Sequence, residues 1–269
     1  MPKRMRLSMT VAGVLVASTA LTGCVQEQQP TIAHTHIGHA LTGWVDTPDK
    51  RGLLLIAEEE AAIGADHAGF AIEAAATPEL MREHVGHVLH AYTAENDNLT
   101  ETPGLGYGTC KALIRGLDHM RFAAESPDVT QNARDGIKDI DAKAKTVVDR
   151  CNTIVALAHE IRRNPNDEEA LVLTDELAKL TEQVLVGVDA NRNGTIENSA
   201  KEYGIRGILA DINAMTAREN PPYAPVAERW LFGLIRLPDG TWQFKTQTAS
   251  GFDPTGAGSG GGGGGGGGY

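Results

Sequence analysis

Aromatic residues make up only 5% of this 269-residue chain, while Ala, Leu, Ile and Val are plentiful. That balance favours helices over a β-sandwich. Basic residues are the minority, 24 Lys and Arg against 35 Asp and Glu, for a formal charge of −11. Phosphate binding needs clustered cations, so nucleic acid is not an expected partner. No Gly-x-Ser-x-Gly occurs, and no nucleophile–base–orienter set emerges, so an enzyme is not the expected reading. The absence of any Glu-x-x-His pair argues against a ferritin-like di-iron centre. Without Cys-x-x-Cys-His there is no covalent c-type haem. The apolar run from Met9 to Leu21 is interrupted by Ser18 and Thr19, and it is shorter than the roughly 20 residues of a spanning helix.

What is present begins at the N-terminus. Lys3, Arg4 and Arg6 precede the apolar run, which ends in Leu21-Thr22-Gly23-Cys24. A basic start, a short apolar core and a small-residue cleavage site are the parts of a secretory signal. The ending resembles the lipobox of bacterial lipoproteins. That resemblance implies removal of residues 1–23, lipidation of Cys24, and attachment to a membrane by two acyl chains. Val25 in place of aspartate resembles outer-membrane lipoproteins of Gram-negative cells and implies a periplasm-facing location in the cell envelope. Loss of the three cations Lys3, Arg4 and Arg6 takes the formal charge from −11 to −14.

Residues 25–50 are polar, carry Pro30, Pro48 and three histidines, and read as a flexible tether. From 51 to 218 apolar residues recur at helical spacing, and short loops imply antiparallel neighbours. The expected fold is an all-α antiparallel bundle of five or six helices, near 52–75, 77–92, 107–125, 132–163, 167–188 and 200–218. Residues 95–106 form a loop. The fourth helix carries a long stripe through Ile137, Ala144, Cys151, Ile154 and Ile161. Residues 219–248 read as a β-hairpin turning at Pro238-Asp239-Gly240, packed on the bundle through its aromatics. The glycine-rich segment 249–269 is a linker-like tail.

Cys110 and Cys151 lie on opposite sides of the turn expected near Pro127, at similar heights on antiparallel helices. In an oxidising compartment they are candidates for a bridge, the alternative being two buried thiols.

Nine histidines supply the first candidate site. On helical wheels His67 falls within its apolar stripe, His84 inside the apolar face, His87 at its margin, and His90 away from it. His119 and His159 sit near the edges of theirs. Imidazoles facing into a bundle can hold a transition metal or haem. The candidate ligands are His67, His84, His87 and His90, with His119 as a further one. The second candidate is Asp189-Ala-Asn191-Arg-Asn193-Gly-Thr195-Ile-Glu197. It resembles the start of an EF-hand calcium loop, with oxygens at positions 1, 3, 5, 7 and 9 and glycine at 6. Position 12 is Ala200 instead of glutamate, with Glu202 two residues beyond.

Two motifs are set aside. His36-Ile-Gly-His39 spells a class I tRNA synthetase signature, but the nucleotide-binding α/β domain it needs is missing. Gly104-Leu-Gly106-Tyr-Gly108 lacks the strand and full pattern of a phosphate loop and reads as a flexible helix entry. The leading expectation is therefore a lipid-anchored, extracytoplasmic helical protein holding a metal or haem through histidines. A calcium-binding lipoprotein and a purely structural envelope protein with a protein partner are the alternatives.

Overall fold

The computed structural model describes residues 30–96, 99 and 101–224, and the backbone of 234–236 and 242–244. The lipobox, Cys24 and the glycine-rich tail lie outside the described residues. Among the described residues, seven α-helices build an all-α bundle: α1 (Ile32–Leu41), α2 (Leu53–Glu73), α3 (Pro78–Thr93), α4 (Thr109–Glu125), α5 (Gln131–Arg163), α6 (Asp167–Leu185) and α7 (Ile205–Thr216). α2 is central and packs on α3, α4 and α6. α5 lies along α3, α4, α6 and α7, and α1 lies on α4.

The helix ends follow from their caps. Thr130 Oγ1 accepts the Ala133 N–H at the start of α5. Asn166 Oδ1 accepts the Glu168 and Glu169 N–H groups and caps the start of α6. The α5 stripe of Ile137, Ala144, Val147, Cys151, Ile154 and Ile161 is buried, and at 1.5 Å per residue this helix runs about 50 Å. Fully burying each large aliphatic side chain contributes about 1.5–3 kcal/mol. Cys110 and Cys151 are bridged, with Cα atoms 5.9 Å apart, and the bridge ties the first turn of α4 to the middle of α5.

Two parts depart from expectation. Residues 25–50 contain a helix, α1, where an irregular tether was expected. Its cap is tertiary as well as local: Thr31 Oγ1 accepts the His34 N–H, and the Asp128 carboxylate accepts those of Ile32 and Ala33 from 96 and 95 residues away. The glycine-rich stretch before α4 is a built turn. Gly104, Gly106 and Gly108 take φ of 111°, 71° and 87°. The N–H groups of Leu105, Tyr107 and Gly108 converge on the fully buried Glu60 carboxylate, at 3.2, 2.8 and 3.1 Å. The phosphate-loop look of this stretch thus has a local cause: its amides cradle an anion supplied by α2.

At the C-terminal end, Leu234–Arg236 pairs antiparallel with Trp242–Phe244, Ile235 opposite Gln243. The turn between them and the expected packing of the aromatics on the bundle lie outside what is described. No described helix is long and apolar enough to cross a membrane.

Candidate metal centre

Two turns of α3 and one of α2 assemble the first cluster. His84 and His87, three residues apart, lie on one side of α3, and His67 faces them from α2. His67 Nδ1 is 3.2 Å from His84 Nδ1 and 3.2 Å from His87 Nδ1. His87 is buried, while His67 and His84 are half-buried. The Phe70 ring, 45% exposed, stands 5.5 Å from the His67 ring and 5.6 Å from that of His84. Burial pushes the His67 pKa down to about 4, assisted by repulsion from His87 and His84 and opposed by Asp66. Burial also lowers His87, again with His84 adding and with Glu83 and Glu101 opposing. Both imidazoles are held neutral at physiological pH, with a lone pair available for an ion.

A second cluster lies between α1 and α4. His36 Nδ1 and His39 Nδ1 stand 3.2 and 3.3 Å from His119 Nδ1. His39 and His119 are buried, and His36 is half-buried. Trp44 packs against both, its ring 4.7 Å from His39 and 4.5 Å from His119. Burial takes His39 down to about 3, helped by its two histidine neighbours. It takes His119 down to about 4, helped by His36 and by the Arg115 guanidinium.

The sequence-derived ligand set is therefore split. His67, His84 and His87 come together. His119 belongs to the other cluster, because α4 presents it to α1. His90 joins neither: its Nδ1 lies 2.7 Å from the Glu95 carbonyl at the C-terminal end of α3. Each three-residue step turns a helical side chain by about 60°, so His90 has rotated about 120° away from His84. His159 sits 3.7 Å from the Glu95 carboxylate. His36 and His39 were missed, since they fall in the supposed tether. A signal for them exists in the sequence: His36-Ile-Gly-His39-Ala-Leu41 recurs as His84-Val-Gly-His87-Val-Leu89.

The calcium-like loop joins α6 to α7. Asp189 accepts the N–H groups of Asn193 and Gly194, and Asn193 Oδ1 accepts the Thr195 N–H. Asn191 Oδ1 also accepts from Asn193 N, and Asn193 Nδ2 donates to Glu197. The buried Glu202 carboxylate accepts from Ala190, Asn191 and Glu197, which fastens the loop from inside. These oxygens hold the turn's own backbone.

No protein-family model, curated protein or solved structure matches this chain. The functional reading therefore rests on geometry. Among the described residues, the two histidine triads are the groups whose ligand atoms lie close enough together to share one ion.

Proposed function

We propose that this chain is a membrane-anchored, extracytoplasmic helical protein that binds a transition-metal ion through His67, His84 and His87. The observation that carries the reading is the meeting of Nδ1 atoms from two helices at 3.2 Å. A tetrahedral ion with metal–nitrogen bonds of about 2.0–2.1 Å holds its nitrogens about 3.3–3.4 Å apart. Hydrogen bonding alone accounts for the cluster less well. An imidazole nitrogen carries one proton or one lone pair in its ring plane, so His67 Nδ1 can make one good bond but has two partners. A cation takes all three lone pairs at once.

Three neutral nitrogens suit copper, zinc, nickel or iron and not the oxygen-seeking calcium or magnesium. The close packing of the rings favours a bare ion over haem, which would have to part them. Residues 21–24 support the lipid anchor, and residues 219–248 are taken as a small hairpin appendage. Elemental analysis of the purified mature protein tests the reading. Stoichiometric transition metal is expected, with the ion held by this triad lost in His67→Ala. Metal-free protein that takes up none of the four ions would overturn it. Calcium measured in the same samples tests Asp189–Glu197 separately.

A further inference from the structure

We infer that His36, His39 and His119 form a second transition-metal site, related to the first by an internal duplication, so that one chain carries two ions. The inference rests on the first triad being a metal site and adds ligands from α1, a helix that reading does not use.

The sequence repeat extends beyond the His-x-Gly-His-x-Leu segments of α1 and α3. Asp66-His67-Ala-Gly-Phe70-Ala-Ile-Glu73 on α2 recurs as Asp118-His119-Met-Arg-Phe122-Ala-Ala-Glu125 on α4, with Gly64 and Gly116 each three residues ahead of the histidine. The segment α1–α4 is thus two copies of a helical pair, α1–α2 and α3–α4. Each triad takes two histidines from one copy and the third from the other.

The geometry repeats independently of the residue identities. The first histidine of each pair lies 5.5 Å, ring to ring, from the lone histidine, at 36° in one triad and 28° in the other. The second lies 4.6 Å away at 74° in one and 4.7 Å at 75° in the other. Phe70 and Phe122 occupy the same place, 5.6 Å from the first ring of each pair.

Packing does not explain what the repeat has kept. The phenylalanines are 45% and 49% exposed and add little to the core. Core positions have drifted, with Ala33 standing where the other copy has Met81. Three imidazoles, the donor set that a bound ion needs and a helix interface does not, are retained on both sides beneath a rim of aromatic ring. The Nδ1 spacings of 3.2 and 3.3 Å match the nitrogen separation in an ion's coordination shell as well as those of the first triad do. All three ligands are nitrogen, so this site takes the same borderline ions.

Titration of metal-stripped mature protein with zinc, followed by calorimetry and elemental analysis, tests the inference. Two zinc ions per chain are expected, falling to one in His36→Gln/His39→Gln and to one in His67→Gln/His84→Gln. One ion per chain, lost only in the second variant, would overturn the inference and leave the proposed function standing. No uptake of zinc, and none of copper, nickel or iron under the same titration, would overturn both. If a variant fails to fold, the wild type still answers through zinc protection of single histidines from diethyl pyrocarbonate, read by peptide mass. Protection of His36 and His119 at saturation is expected, and protection confined to His67, His84 and His87 would overturn the second site.

Discussion

The two triads share a geometry, an aspartate beside the lone histidine and a phenylalanine at the rim, and differ in how the chain assembles them. His67, His84 and His87 sit on α2 and α3, consecutive helices joined by a four-residue turn, in the company of Asp66, Glu83 and Glu101. His36 and His39 reach His119 across 83 and 80 residues, against Trp44 and within the field of Arg115. The first site is local, open and surrounded by carboxylates. The second is assembled by the tertiary fold and more buried, and its His119 feels the Arg115 guanidinium together with the Asp118 and Asp46 carboxylates. The comparison teaches that a ligand set fixes which ions fit, whereas its surroundings set how readily they come and go.

The largest expected effect breaks the frame of the second site. Reducing the Cys110–Cys151 bridge, or Cys110→Ser/Cys151→Ser, should cost roughly 4 kcal/mol of stability in the chain-entropy model for a loop of this length. Denaturant midpoints measure it. Zinc affinity should fall more at His36/His39/His119 than at the first triad, because the bridge anchors α4. Equal losses at both sites would remove that distinction.

Next comes the connection between the two halves. Glu60 lies on the helix of His67 and holds the entry to the helix of His119. Glu60→Ala strands three amide donors and should cost about 3 kcal/mol. A lowered melting temperature is expected, and an unchanged one would refute the role given to this carboxylate.

A pH series sharpens the contrast without mutation. Histidines with a folded pKa below the ordinary 6.5 stay neutral while the unfolded chain takes up protons. Their stabilising contribution is complete above 6.5 and is lost as pH falls, to about 4 for His67 and His119 and to about 3 for His39. The melting temperature of metal-free protein should therefore drop over that range, less steeply in His39→Ala. A flat profile would contradict the burial of these rings.

The smallest effect concerns charge. Arg115→Gln removes a cation near His119 and should tighten zinc binding there roughly two- to five-fold, as expected for a partly screened charge. The first triad should not respond, and the difference should shrink in high salt.

Much of the frame was legible in the residues. Apolar spacing marked α2 to α7. The placement of Cys110 and Cys151 on either side of one turn allowed their bridge. α1 was not legible, because four of its ten residues are His or Thr and part of its cap comes from Asp128. The hydropathy pattern is weak in a helix whose buried face mixes His34 and His39 with Ala33, Ile37, Gly38 and Ala40. The repeat could have been read, had the chain been compared with itself.

What the sequence determined by itself is therefore the helical class, the position of most helices and the stock of neutral nitrogen ligands. Those follow from local periodicity and capping, which act within a few residues. Only the tertiary structure decided which imidazoles meet, that His119 pairs with α1 instead of α3, and that Glu60 fills the glycine-rich cradle. Such contacts depend on which helices pack together, and packing joins residues that the chain itself keeps tens of positions apart.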